Sequence, residues 1–232
     1  MKIAYVFNHK SFFASHFLPI ANIIKKKNII RLFCGNDASE TMEKIYKKII
    51  KKNNIQYQQL DIHPTQTNIL SDIINLIFLI KKIFFFSPDI IHCASPKGIL
   101  LGGITARLLR IKCLVIFNSG MGYLLTNKLK NFDNIIKKIY FFFLKYIILT
   151  HKNFQIIVEN KTDKNFFLKK FKIKKENLTI IQGSGVDLKK FKNHYSIKNN
   201  LIVLPARVIK EKGIKEFCEA VKILNKKKLK KK

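Results

Sequence analysis

The sequence has little arginine for so basic a chain. Only four of its 45 lysine and arginine residues are arginines: Arg31, Arg107, Arg110 and Arg207. Arginine is the preferred residue for bidentate contacts to phosphates and bases. Despite the formal net charge of +31, no nucleic-acid partner is therefore expected. We interpret most of the lysine as solvated surface, with affinity for an anionic membrane as an open alternative.

Features of secreted and membrane-spanning proteins are also scarce. The four cysteines lie far apart with no CxxC pair, which argues against disulfides and zinc and favours a reducing cytosol. The N-terminal MKIAYVF runs directly into polar residues, so it is not a signal peptide. The apolar segments 68–86 and 135–149 are broken by charges and too short to span a bilayer. These observations predict a cytoplasmic protein and leave peripheral contact with the inner face of the cytoplasmic membrane open.

Alternating strand and helix signals fill most of the 232 residues. Buried strands are predicted where short apolar runs rich in β-branched residues occur, at 2–7, 29–34, 55–62, 88–95, 113–118, 155–160 and 178–182. Helices are predicted between them, at 18–28, 40–53, 68–86, 98–110, 131–150 and 162–171. The segment 8–16 is interpreted as a loop, and Thr162 and Asp163 as helix caps. This alternation predicts an α/β fold with a doubly wound parallel sheet, Rossmann-like in form.

A change of composition after residue 182 predicts a domain boundary. Residues 1–182 form the expected Rossmann-like domain, and the polar, glycine-bearing stretch 183–200 is the expected hinge. The apolar run 201–206 then restarts a strand–helix pattern, with a helix at 214–227. Residues 201–232 are thus expected to be the first βα unit of an incomplete second domain. The lysine run at the end suggests a chain cut short within an adenine-rich tract.

The stretch ARVIKEKG at 206–213 has the form of a phosphate-binding loop. It follows an apolar run, carries Arg207 and Lys212, and reaches Gly213 just before a predicted helix. A strand–loop–helix connection with cations and a glycine is a common way to hold a phosphate. The alternative, in so lysine-rich a chain, is that both cations are ordinary surface residues.

Six segments carry a resemblance: NHKSFFASHFLPIA from Asn8, PDIIHCASPKG from Pro88, NSGMGYLLT from Asn118, VENKTDKNFF from Val158, GSGVDLKKF from Gly183 and LPARVIKEKGIKEF from Leu204. Together, and in this order along the chain, they resemble segments of the retaining glycosyltransferases of family 4, which have the two-domain GT-B fold. Asn160 and Asp163 carry the QN-x-x-D part of that resemblance. The resemblance covers nearly the whole chain. It implies that residues 1–182 are an acceptor-binding domain and residues 201–232 the start of a truncated nucleotide-sugar-binding domain.

The resemblance implies roles for particular residues. Arg207 and Lys212 would neutralise the diphosphate of a nucleotide-sugar donor, with Gly183 and Gly185 letting the hinge pass close to it. Fixed cations stabilise the charge of the departing diphosphate, so neither a metal nor another cofactor is expected. The expected acceptor-binding residues are Asn8, Phe13, Ser15, His16, Gly120 and Gly122. Catalytic residues remain unassigned, because the family's two glutamates separated by seven residues have no counterpart; Glu216 and Glu219 cannot replace them.

The resulting prediction is a glycosyltransferase that moves a sugar from a nucleotide-sugar to a glycan or polyprenyl-linked acceptor in surface polysaccharide or lipopolysaccharide biosynthesis. Little or no transfer is expected from these 232 residues alone. One alternative is a non-catalytic remnant or binding module that keeps the fold. Another is a different Rossmann-like enzyme such as a nucleotide-sugar epimerase, which the lack of GxGxxG after the first strand weakens. His16 remains either an acceptor-site base or a helix cap, and His92 either a site residue or a packed one.

Overall fold

The structure, a computed structural model, describes residues 1–62, 68–120, 131–188, 191, 202–206, 208 and 212–229, with the side chains of 131–134 and 227–229 left aside. These residues form two compact units, Met1–Asp187 and Leu188–Lys232. The division lies inside the segment expected to be a hinge. Arg207 and Gly122 lie outside the described residues.

Seven parallel strands make the sheet of the first unit, in the order β3-β2-β1-β4-β5-β6-β7. Their bounds are β1 Lys2–Phe7, β2 Ile29–Cys34, β3 Gln56–Gln59, β4 Ile90–Ala94, β5 Cys113–Asn118, β6 Phe154–Val158 and β7 Leu178–Ile180. The predicted doubly wound parallel sheet is therefore confirmed. Continuous apolar runs were a reliable guide because a central parallel strand is buried on both faces, as in β1, where Ile3 to Phe7 are all buried.

Helices cover both faces of this sheet. The helices of the first unit are α1 Lys10–Phe12, α2 Leu18–Ile24, α3 Glu40–Lys52, α4 Ile69–Phe86, α5 Pro96–Leu108, α6 Asn131–Phe143 and α7 Lys161–Phe171. Two π-helices, Phe13–Phe17 and Leu144–Ile148, continue α1 and α6. The apolar core is accordingly split into two clusters. One packs under α1 to α3 and the other under α4 to α7.

The interpretation of 8–16 as a loop was wrong, because the segment is helical from Lys10 onward. His9 is the N-cap, and its Nδ1 accepts a hydrogen bond from the Phe12 N–H at 3.3 Å. Phe13 and Phe17, four residues apart, are both buried against the sheet. The polar start of the segment resembles a loop signal, but histidine capping and this apolar spacing make it helical.

The prediction of Thr162 and Asp163 as the caps of α7 was also wrong, because the cap lies two to three residues earlier. Asn160 is the N-cap: its Oδ1 accepts from the Asp163 N–H at 2.7 Å, and its Nδ2 donates to Asp163 Oδ2 at 3.0 Å. Asparagine and threonine are both good caps, so composition could not choose between them. Thr162 and Asp163 lie in the first turn.

Residues 202–206, predicted as a strand, have no strand partner among the described residues. Ile202 and Val203 are about two-thirds exposed, at 68% and 66%. An apolar run becomes a strand only where a neighbour supplies the ladder of hydrogen bonds. The helix that follows, α8 Ile214–Leu229, forms as predicted.

Candidate functional site at the carboxyl edge of the sheet

The order of the strands creates a crevice at the carboxyl ends of β1 and β4. The chain leaves β1 towards β2 and β3 on one side, and resumes on the other side with β4 to β7. Loops that leave such a switch point in opposite directions leave a gap, and ligands of open parallel sheets bind there. The segment from Asn8 to His16 follows β1, and Ser95 follows β4.

Asn8 joins the two sides of this crevice. Its side-chain Oδ1 accepts a hydrogen bond from the Gly98 N–H, near the start of α5, at 2.7 Å. Gly98 must be a glycine, since a Cβ there would lie 2.7 Å from the Val6 carbonyl oxygen. The close approach of α5 to β1 therefore brings the amide within reach of Asn8. The predicted acceptor residue Asn8 lies in the crevice and braces it.

Ser95 has a backbone conformation that few residues adopt. It precedes α5 with φ 66° and ψ 152°, a region that is nearly exclusive to glycine and costs about 1–3 kcal/mol for other residues. Such strain often accompanies functional sites. No local signal in the sequence indicates it beyond the position of Ser95 between a strand and a proline.

A buried polar cluster supports the segment that follows β1. Lys10 has a fully buried side chain, and its Nζ lies 2.7 Å from Glu43 Oε1 and donates to the Gly35 carbonyl at 3.2 Å. Asp37 Oδ1 accepts from the Ser11 N–H at 3.0 Å, and the Asp37 N–H donates to Glu43 Oε2 at 3.0 Å. The loops after β1 and β2 are thus tied together. This cluster holds in place the helical segment that carries Ser15 and His16.

Two ionisable groups in this cluster have shifted pKa values. Burial lowers the pKa of His9, and the negative charge of Asp37 partly opposes that change. For Glu43, burial alone would raise the pKa, but hydrogen bonds from Lys10 and from the Asp37 backbone lower it overall. Glu43 is therefore held as a carboxylate opposite the buried Lys10 ammonium.

The two ring nitrogens of His16 have different surroundings: Nδ1 is hydrogen-bonded within the helical segment, and Nε2 is available to accept a hydrogen bond. Its ring lies against Phe12, with 4.5 Å between the centroids. Ser15 Oγ donates to the Ser11 carbonyl at 2.6 Å, so it accepts from His16 Nδ1 at 2.7 Å. Nδ1 also lies 3.2 Å from the Phe12 carbonyl oxygen. Since both neighbours accept, we assign the hydrogen to Nδ1, which leaves Nε2 with the lone pair.

Glu159 joins His16 at this edge. It directly follows β6. Partial burial raises the pKa of Glu159, an electrostatic interaction with His16 lowers it and Asp163 raises it, so that the net pKa is raised. The two side chains, from distant parts of the chain, thus interact electrostatically. Sequence reasoning missed Glu159. Its place immediately after a buried strand was the available signal.

The loop after β5 contributes a buried amide. Asn118, the last residue of β5, is buried, and its Nδ2 has no hydrogen-bond partner among the described residues. A buried donor without a partner costs about 1–3 kcal/mol, so such a group points to a binding role. Gly120 follows with φ 134°, a backbone conformation that favours glycine.

The remaining predicted residues have separate positions. Phe13 is fully buried against Tyr5 and Phe7, so its ring supports the site from below. Gly183 and Gly185 follow β7 with φ 78° and 75°, which is typical of a glycine-dependent turn. Lys212, in the second unit, is exposed beside the turn at Gly213.

His92 is a packed residue. It lies on β4 among aromatic rings, with centroids 5.4 Å from Tyr5 and 5.3 Å from Phe17. Its Nε2 is buried without a hydrogen-bond partner among the described residues. Burial lowers the pKa of His92 to about 4, so it is neutral at physiological pH.

The described residues contain neither a cluster suited to a metal ion nor a helix suited to cross a membrane. No group of three or more histidine, cysteine or acidic side chains could hold a metal ion within the described part of the chain. No helix found in that part is long and apolar enough to cross a membrane.

A parallel sheet with a polar site at the carboxyl edge of its switch point is the architecture of Rossmann-like proteins. Residues 2–157 match the sequence model of the family described as "Glycosyl transferase 4-like", and the chain belongs to this family. The predicted family resemblance is thereby confirmed. No curated protein sequence matches the chain significantly.

Solved structures share the fold at low sequence identity. S. aureus MnaA in complex with UDP is 14% identical, with a TM-score of 0.58 over 84% of this chain and 49% of that one. The UDP-GlcNAc 2-epimerase of Methanocaldococcus jannaschii is 16% identical, with a TM-score of 0.53 over 78% and 45%. That of Neisseria meningitidis, bound to UDP-GlcNAc, is 14% identical, with a TM-score of 0.52 over 79% and 47%. The chain thus spans about half the length of these proteins.

Proposed function

We propose that this chain is the acceptor-binding part of a retaining glycosyltransferase. The complete enzyme would move a sugar from a nucleotide-sugar donor to a glycan or polyprenyl-linked acceptor, in surface polysaccharide or lipopolysaccharide biosynthesis. The observation that carries the proposal is the placement of Asn8, Ser15 and His16 after β1 and of Glu159 after β6, at the carboxyl edge of a glycosyl transferase 4-like sheet. UDP and UDP-GlcNAc in the structural neighbours support a nucleotide-sugar as the donor class.

The acceptor would be held by its hydroxyl groups. The Nε2 lone pair of His16 can accept a hydrogen bond from a sugar hydroxyl, as can the Glu159 carboxylate. The buried Nδ2 of Asn118 can donate one. Such a set of acceptors and a donor at one sheet edge suits a neutral, hydroxyl-rich ligand. We assign the acceptor role to these residues together with Asn8, Ser15, Gly120 and Gly122.

Donor binding is proposed for Arg207 and Lys212, aided by the turns at Gly183 and Gly185. Two fixed cations can neutralise a diphosphate without a metal ion or other cofactor. We propose that the 232 residues alone transfer little or no sugar, because the pair of glutamates expected to contact donor sugar and ribose is not among them. Incubation with nucleotide-sugars and acceptor tests this point; detectable turnover contradicts it.

Calorimetric titration with a water-soluble, short-prenyl diphosphate sugar tests the acceptor site. Glu159→Gln and His16→Gln should each weaken binding about tenfold or more, the usual effect of losing a hydrogen bond that involves a charged or buried group. Glu176→Gln is the matched control, since Glu176 is an exposed carboxylate that lies 3.6 Å from the Lys174 ammonium. Unchanged affinity in both site variants would rule out this edge as the acceptor site.

Two alternatives give different results in the same assays. A binding module without catalytic ancestry should bind the acceptor analogue but give no transfer when the remaining donor-binding domain is supplied in the same polypeptide. An epimerase, the activity named for several structural neighbours, should convert UDP-GlcNAc without any acceptor, which NMR of the sugar ring protons would detect.

A further inference from the structure

Helix α4 exposes a stripe of large apolar side chains. Leu70, Ile73, Ile74, Ile77, Phe84 and Phe85 are between 49% and 73% exposed. Their spacing of three and four residues places them on one side of the helix. Single exposed apolar residues are ordinary, but a continuous stripe of them marks an interaction surface.

The rotation of α4 about its axis is fixed, so this stripe cannot turn inward. Asn75 is buried and pairs with the backbone of Asp61, accepting from its N–H at 2.8 Å and donating to its carbonyl at 2.9 Å. Asp72 forms an ion pair of 2.9 Å with Lys97 on α5. On the inward side, Leu79, Ile83 and Phe86 pack into the core.

A second stripe runs along α6 and the π-helix that continues it. Ile135, Ile139, Phe142 and Tyr146 are each about half exposed, between 47% and 57%. The opposite side of this helix is buried, through Tyr140, Phe141, Leu144 and Ile148. The aromatic run 140–143 is thus divided between core and surface.

The two stripes lie on the same side of the sheet, separated by α5. Helix α5 contacts both α4 and the π-helix after α6. All three pack on the same core cluster, and the least buried side of α5 carries the half-buried Leu100 and Ile104. We call the exposed side of α4, α5 and α6 the α4–α6 surface. It is a broad apolar layer, not an isolated side chain.

Cations are set among these apolar side chains. Lys81 lies within the α4 stripe, and Lys138 and Lys145 lie within the α6 stripe; all three are exposed. Lys145 has its ammonium 4.8 Å from the Tyr146 ring centroid. Apolar side chains interspersed with lysines are the pattern of helices that lie in the interface of a bilayer. A second copy of the chain would bring like charges together, so charge complementarity favours an anionic partner.

We infer that the α4–α6 surface lies on an anionic lipid bilayer, with its apolar side chains in the headgroup and acyl boundary and its lysines at the phosphates. The helices of this surface run along the strands, so the carboxyl edge of the sheet opens sideways over the lipid. The inference extends the proposed function, since a lipid-linked acceptor would then reach the site from the membrane. The lipid binding itself requires no sugar transfer, so each can fail independently.

Vesicle flotation of the full chain tests this inference. Vesicles of equal parts phosphatidylglycerol and phosphatidylcholine should carry the chain upward, and vesicles of phosphatidylcholine alone should carry far less. Ile74→Ser with Ile77→Ser should lower partitioning about tenfold per side chain. Lys81→Gln should lower it about fivefold on anionic vesicles. Circular dichroism should show unchanged helix content in each variant.

Matched controls exist on the opposite face of the sheet. Ile23 on α2 and Ile45 on α3 are 70% and 50% exposed, and Lys48 on α3 is exposed. Ile23→Ser with Ile45→Ser, and Lys48→Gln, should leave flotation unchanged.

Three results would overturn the inference. The first is that the chain does not float with anionic vesicles. The second is that the control variants lose as much flotation as the α4 variants. The third is that sedimentation shows a dimer, which Ile74→Ser with Ile77→Ser converts to a monomer. The last result would mean that a second copy covers the surface.

Discussion

The side-chain oxygen of Asn8 lies 2.7 Å from the backbone nitrogen of Gly98, across the crevice between β1 and β4. The two residues are 90 positions apart in the chain, and both sides of the bond are buried. A buried N–H must find a partner, and the start of a helix leaves its first N–H groups without one inside the helix. Asn8 therefore stabilises the switch point at which the candidate site lies.

Removal of this acceptor should weaken the fold. Asn8→Ala leaves the Gly98 N–H without its partner, and we expect the free energy of unfolding to fall by about 1–3 kcal/mol. Asn8→Asp keeps the oxygen and adds a negative charge near a helix N-terminus, so it should lose much less. Urea denaturation followed by circular dichroism measures both, since the chain has no tryptophan. Equal losses in the two variants would show that the hydrogen bond does not stabilise the crevice.

Glu43 should stabilise the protein through the buried Lys10. Glu43→Gln removes the charge opposite the Lys10 ammonium, which lies 2.7 Å away, and should cost about 2 kcal/mol. Because the folded pKa of Glu43 is lowered, its contribution is present above the ordinary pKa of 4.5 and is lost as pH falls below it. Urea denaturation at neutral and acidic pH should show the two proteins converging in acid.

Glu40→Gln on the same helix is the control for this prediction. Glu40 has a side chain 93% exposed and lies 4.0 Å from Lys44, a geometry that contributes little to stability. We expect it to change the free energy of unfolding by no more than about 0.5 kcal/mol. If Glu40→Gln lowered the free energy of unfolding as much as Glu43→Gln does, the cause would be the charge of the helix in general and not the contact with Lys10.

His92 should make the protein less stable in mild acid. Its pKa is lowered from 6.5 to about 4 in the folded state. Between these two pH values the unfolded chain binds a proton at this histidine and the folded chain does not. Stability is therefore unaffected above pH 6.5 and falls by about 3 kcal/mol as pH approaches 4. His92→Phe, which suits the surrounding aromatic rings, should remove this part of the pH dependence. Parallel pH profiles of the two proteins would contradict the assignment.

The sheet could be read from the sequence, but part of the site could not. Buried parallel strands are continuous apolar runs, and their carboxyl ends form one edge, so the positions of Asn8 and His16 followed from topology. Lys10 resembles every other lysine in the chain, and only the tertiary neighbours Gly35 and Glu43 show that it is buried. Glu159 could have been noticed from its place after a buried strand, but its electrostatic interaction with His16, more than a hundred positions away, is visible only in the fold.

Strain at Ser95 gives a substitution that should increase stability. With φ 66° and ψ 152°, Ser95 is in a conformation that glycine adopts at little cost. Ser95→Gly should relieve the strain, and we expect the free energy of unfolding to rise by about 1 kcal/mol after the added flexibility of the unfolded chain is counted. Ser95→Ala keeps the Cβ and the strain, so it should show no such gain. If both variants behaved alike in urea denaturation, the hydroxyl group and not the backbone would determine the stability at this position. A gain with glycine accompanied by weaker binding of the acceptor analogue would instead link the strain to the candidate site, because relief of strain frees the loop that the crevice needs in one conformation.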